Sequence, residues 1–308
     1  MPKSTAMIMT EPTARHWLMI ATLGLVWGST FMVIELALQG ITPVWLTAGR
    51  ILFAALLLGS LWAARGFRLF LGQPNWGMLV VLGCSNAVLP FLLISWGQQF
   101  VTSGFTGVSM AGTGLLVLPL AHFLIPGESM TKRRFLGFSI GFLGVATLIG
   151  AQAFDSTGSP LEPLGRAACL GAAACYAMSS ILTRRLPAID PVGLAASLLC
   201  IASVLIVPIA WVSEGPPPLP DRETLFWIAI LGLLPTAAAN YLRVLVIRSV
   251  GPTFMSLTSY QVPVWSVLLG ALFLGEPLPA TLLLALGLIL TGVCISQWGA
   301  LKRLFSIR

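Results

Sequence analysis

The pair Gly127-Glu128 returns as Gly275-Glu276, and Gly144-Val145 returns as Gly292-Val293, each time 148 residues further on. Apolar runs of membrane length fill both copies of this pattern. They lie near 17–37, 42–62, 75–97, 103–125 and 132–151 in the first copy, and near 164–185, 191–212, 224–246, 253–274 and 278–298 in the second. A helix needs roughly 20 apolar residues to cross about 30 Å of hydrocarbon. Ten such spans use about 200 positions and leave short connections with no separate extramembrane domain. Five is odd, so a second copy that starts after five crossings enters the bilayer from the opposite side. The expected fold is therefore an all-α membrane protein with ten transmembrane helices in two inverted five-helix repeats, residues 1–152 and 153–308. In alternating-access carriers such repeats hold the solute between them, near the midplane.

Composition supports the membrane class. The chain is 57% hydrophobic and only 9% charged, where soluble domains carry about 25% charged residues. The net charge of +7 is an orientation signal more than a binding surface. With the N-terminus inside, every basic residue except Arg50, Arg166 and Arg222 falls on a cytoplasmic connection or tail, which puts both termini in the cytoplasm. Nucleic acid is not an expected partner; lipid and a small-molecule solute are, with monomer and homodimer both open. The first apolar run is too long for a secretory signal core and reads as an uncleaved span. Cys84, Cys169, Cys175, Cys200 and Cys294 all fall within spans without CxxC spacing, so they read as small apolar residues. His16 and His122 form no ligand cluster, and neither a metal nor a cofactor is implied. The connections at 152–163 and 213–223 read as solvated linkers.

Mid-span polar and aromatic residues are the candidates for a solute site. Trp27 and Tyr176 occupy matching places in the first span of each half. Asn86 lies in the third span, Asn240 and Tyr241 in the eighth, and Tyr260, Gln261 and Trp265 in the ninth. Polar groups at membrane depth turn toward protein or a wet cavity, because lipid offers them no partner. Interhelical hydrogen bonds explain any one of them; a wet central cavity explains the set. At about 100° per residue, Gln261 and Trp265 share a helix face while Tyr260 sits off it. Most other tryptophans, Trp45 among them, lie at span ends as interfacial anchors. Arg50 is the one arginine well inside a span. Either it snorkels structurally, paired with Glu35 at the outer end of the first span, or Arg50 and Glu35 form a gate or a contact for a substrate carboxylate. Glu128 and Glu276 end equivalent spans and read as helix-end residues. Gly137 and Gly141 form a GxxxG pair that lets helices approach closely.

The segment Trp27-Gly28-Ser29-Thr30-Phe31, followed by Pro43, Arg50 and the two Gly-Glu ends, resembles the EamA-type half-repeat of the drug/metabolite transporter superfamily. Tyr176-Ala177-Met178 stands in the second half where Trp27-Gly28-Ser29 stands in the first. The resemblance spans nearly the whole chain and is nearest to bacterial exporters of amino acids and related metabolites. It implies alternating-access export of small organic solutes across a bacterial inner membrane, neutral or aromatic amino acids first, with drugs as another solute class. It implies no enzyme. An ATP-driven pump is disfavoured because no GxxxxGK[ST] loop is present. The rival class is an intramembrane hydrolase. It would need a serine meeting His122, and no GxSxG elbow accompanies that histidine.

Overall fold

A computed structural model describes residues 13–69, 75–124, 130–150, 159–186, 189–250, 252–255, 257–296, 298–299 and 302. Gly127-Glu128, the turn at 72–74 and most of the 152–163 connection lie outside the described residues, as do the terminal basic residues Lys3, Arg303 and Arg308. The described residues are overwhelmingly helical. The long helices are α1 (Ala14–Leu38), α2 (Pro43–Ala64), α3 (Trp76–Gly97), α4 (Ser103–Leu124), α5 (Lys132–Gly150), α6 (Glu162–Arg184), α7 (Pro191–Glu214), α8 (Arg222–Val250), α9 (Thr258–Leu274) and α10 (Ala280–Ser296), with one further helical turn at Pro252–Met255. Seven of them, α1 to α4 and α6 to α8, are long and apolar enough to cross a membrane; α9 and α10 are shorter apolar helices. The start of α5 carries Lys132, Arg133 and Arg134.

Local chemistry sets the helix ends. Asn75 Oδ1 accepts from Met78 N at 3.0 Å to open α3, and Asp221 Oδ1 accepts from Thr224 N at 2.8 Å to open α8. Asp190 Oδ1 takes both Val192 N (3.1 Å) and Gly193 N (2.8 Å) before α7, whose first residue, Pro191, has no N–H to satisfy. Helices α7 and α9 stop at Gly215 (φ 82°) and Gly275 (φ 67°), left-handed positions that a side chain would strain.

The packing between the halves has an internal regularity. α1 lies against α9 and α8, while α6 lies against α4 and α3; α2 touches α8, while α7 touches α3. The pairs α2–α7, α4–α9 and α5–α10 map onto themselves when each helix is exchanged with the one five places away. The exchange is not perfect: α4 also touches α10, with no equally extensive counterpart between α9 and α5. The α5–α10 crossing is close because glycine lines both sides: a methyl at Gly292 would sit 2.5 Å from Gly137 O and Gly141 N.

Two expectations need correction. Trp45 is not an interfacial anchor: it is 7% exposed and packs in the apolar cluster around Ala48, Leu58 and Phe91. Glu162 and Arg166 do not lie in a solvated linker. They form a buried ion pair one turn apart at the start of α6, where the pairing lets both charges leave water.

Candidate functional site

Two helices open their backbone at equivalent depths. In α3 the helix widens over Cys84–Val88, where Leu89 N donates five residues back to Cys84 O; in α8 it widens over Gly232–Ala238, where Ala239 N donates to Leu234 O. Cys84 and Gly232 are again 148 residues apart. Such wide turns free carbonyl oxygens and recur at functional sites.

In α8 the freed groups are all used. Pro235 offers no N–H to Leu231 O, and the Thr236 hydroxyl donates there instead at 2.7 Å. Pro235 O, which Ala239 N would bond in a regular helix, accepts from Trp27 Nε1 of α1 at 3.0 Å. Asn240 Nδ2 donates back to Thr236 O at 2.5 Å. In α3, Asn86 Oδ1 accepts from the Ser179 hydroxyl of α6 at 2.9 Å. The wide turn of each half thus meets a polar group of the first helix of the other half: α8 meets α1, and α3 meets α6.

Arg50 of α2 meets the α8 turn. It is 6% exposed, its Nε donates to Thr236 Oγ1 at 2.8 Å, and its guanidinium carbon lies 3.8 Å from the centre of the Phe91 ring. Tyr176 of α6 is within electrostatic reach of it and packs in the same apolar cluster as Phe91. Arg50 therefore does not snorkel, and it does not pair with Glu35. Among the described residues no carboxylate pairs with it. Glu35 instead interacts with Gln98 and feels the charge of Glu276 near the C-terminal end of α1.

The remaining candidates are dispersed. Gln261 and Trp265 do share one face, and that face packs on α1: a methyl at Gly24 would meet Gln261 Oε1 at 2.6 Å, and one at Gly28 would meet Val262 O at 3.0 Å and run into Trp265 Cβ. Tyr260 turns toward α10, its hydroxyl 3.5 Å from Val293 O. Tyr241 is exposed on the bundle surface. Glu276 is a helix-end residue, but for a helix of the other half: its carboxylate accepts from Ser103 N at 2.7 Å and Gly104 N at 3.0 Å, opening α4. Thr236, Ser179 and Phe91 went unnoticed in the sequence. The usable signal was Pro235, whose missing N–H demands a local substitute at the same offset from the third-span Asn86 region. Among the described residues no group of three His, Cys, Asp or Glu side chains could hold a metal ion.

The EamA-like transporter family matches residues 15–150 and, again, residues 163–297. The chain belongs to that family. Similar proteins include the uncharacterized transporter YvbV of Bacillus subtilis, 26% identical over 298 residues, with 92% of each chain covered. The uncharacterized inner membrane transporter YedA of Escherichia coli K12 is 27% identical, covering 89% of this chain and 88% of its own. An S-adenosylmethionine/S-adenosylhomocysteine transporter of Chlamydia trachomatis is 25% identical, covering 87% of this chain and 84% of its own. A crystal structure at 21% identity superposes with a TM-score of 0.67, covering 95% of this chain and 99% of that one, which supports the fold. This EamA-like chain is thus a multi-pass integral membrane protein of a transporter family, with a small-molecule solute as its partner.

Proposed function

We propose that the chain is a secondary transporter that exports small organic solutes, neutral or aromatic amino acids and related metabolites first, by exposing one central site to each side of the membrane in turn. In this reading all ten helices cross. Residues 1–152 and 153–308 are inverted repeats, both termini are cytoplasmic, and the membrane is a bacterial inner membrane. The 17 residues of α9 and of α10 suffice for a span, because roughly 17–25 residues cross the hydrocarbon. The nearly exchange-symmetric helix packing and the two family matches support the repeats.

One observation carries the function: two wide turns at the same offset each meet a polar side chain of the other half. Irregular backbone at membrane depth is tolerated where it is buried in protein or lines a cavity, and broken helices form the solute sites of inverted-repeat carriers. A solute bound there touches both halves, so rocking one against the other carries it across. No enzymatic step is assigned to this centre. Among the relatives, one is named for S-adenosylmethionine, a substituted amino acid, which favours the amino-acid class.

The test is counterflow of radiolabelled amino acids into proteoliposomes. Saturable counterflow is expected for at least one neutral or aromatic amino acid. Flux no greater than in empty liposomes across a panel of amino acids, amines, nucleosides and organic acids refutes the transporter reading.

A further inference from the structure

Arg50 carries a charge into the interior of the helix bundle. Its cation is buried between α2, α3, α6 and α8, where removal from water costs several kcal/mol unless it is compensated. Its neighbours compensate little. Phe91 covers one face of the guanidinium, and Thr236 takes Nε. The terminal nitrogens have no hydrogen-bond partner among the described residues, yet they do not appear among the buried polar atoms lacking one, so they keep open surface. A purely structural arginine would be expected to place its planar fork against a carboxylate or carbonyls. This fork meets no carboxylate among the described residues.

We propose that Arg50 is the anion-binding residue of the central site and that the transported solute carries a carboxylate. The proposal rests on the transporter reading and deepens it. Since Nε is engaged, the remaining edge is the pair of terminal nitrogens, which matches the two oxygens of a carboxylate in a bidentate, charge-assisted contact. A single cation balances a single negative charge; a phosphate dianion would leave an uncompensated charge in the same low-dielectric place. Tyr176, one α6 turn from the Ser179 that anchors Asn86, has its hydroxyl within electrostatic reach of the same guanidinium. The apolar ring of Phe91 suits the uncharged part of such a solute. Arg50 and Tyr176 come from different halves, so a carboxylate that meets both bridges the two.

The experiment compares phenylalanine, phenylalaninamide and phenethylamine, which share one ring and differ in the acid group. Each competes for counterflow in proteoliposomes and is titrated against purified protein by thermal shift, for wild type, Arg50→Lys and Arg50→Met. The expected result is that the acid binds roughly 10–100-fold more tightly than the amide or amine, the size of one charged hydrogen-bond contact. Arg50→Met is expected to abolish that preference without lowering the unfolding temperature, because an apolar residue of similar volume removes a buried charge. Arg50→Lys retains charge, loses the fork, and falls between the two. Equal competition by acid and amide in wild type, or an acid preference that survives Arg50→Met, overturns the proposal while leaving the transporter reading in place. An Arg50→Met protein that unfolds early and keeps the acid preference marks a structural arginine and also overturns it. Loss of flux for every solute in the panel removes the transporter reading itself.

Discussion

Glu276 offers a quantitative test of how the halves are joined. Its carboxylate accepts two N–H groups of the first turn of α4, at 2.7 and 3.0 Å, from a position 172 residues or more away in sequence. These are donors that no intrahelical carbonyl can satisfy. Removing a side-chain cap costs about 0.5–2 kcal/mol, and the negative charge at a helix N-terminus adds about 0.3–1 kcal/mol. The site is partly buried, beside a Gly270 whose added methyl would meet Ser103 Oγ at 2.6 Å, so water has little room to replace the lost oxygens. Glu276→Ala should therefore destabilise by about 2 kcal/mol. Glu276→Gln, which keeps an acceptor and loses the charge, should cost about half of that. The assay is SDS-driven unfolding in mixed micelles, with Leu219→Ala as control, because Leu219 is fully exposed. Glu276→Ala unfolding at the same SDS fraction as that control would refute the reasoning.

Three further outcomes follow from the geometry. Gly292→Ala should destabilise by about 1–3 kcal/mol, since its methyl meets the backbone of Gly137 and Gly141 and not a movable side chain; unchanged thermal unfolding in detergent would contradict the close α5–α10 crossing. Trp27→Phe keeps the ring and drops the bond to Pro235 O, so it should cost about 0.5–1.5 kcal/mol and slow counterflow; wild-type values for both would place that bond outside the working centre. Thr224 holds the Asp221 carboxylate below its ordinary value of 3.8 through hydrogen bonds to its side chain and backbone. A depressed carboxylate stabilises above its unfolded value and loses that effect as pH falls through its folded one. Asp221→Asn should thus speed hydrogen exchange in the first turn of α8 at neutral pH, with the difference vanishing in acid; a difference that grows in acid contradicts the sign.

Much of the scaffold was legible because membrane helices advertise themselves by length and apolarity, and because the 148-residue offset is written in glycine and glutamate. The helix ends at Asn75, Asp190 and Asp221 follow ordinary capping chemistry. The face shared by Gln261 and Trp265 followed from helical angles, though the sequence did not reveal that Gly24 and Gly28 would receive it. The centre itself was harder to read. A wide turn shifts register by one residue, which no apolar period records, so Thr236 looked like a spare small residue until the turn aimed it at Arg50. The Glu35–Arg50 pairing failed because opposite charges on neighbouring spans suggest contact, while only packing decides depth; Glu35 lies three residues from the end of α1, and Arg50 lies two turns into α2. Tyr241 is exposed while Tyr176 is partly buried, a difference that two tyrosines read from sequence do not reveal.

The most direct measurement concerns Lys132 and Ala280, the exposed first residues of α5 and α10, which the 148-residue offset makes equivalent. Single cysteines there, in a background without the five native cysteines, are to be labelled with a membrane-impermeant thiol reagent in intact cells and in inverted vesicles. Antiparallel halves require Lys132→Cys to react only from the cytoplasmic side and Ala280→Cys only from the outside. Labelling of both from one side would contradict the inverted arrangement, and with it a central site shared by two opposed halves.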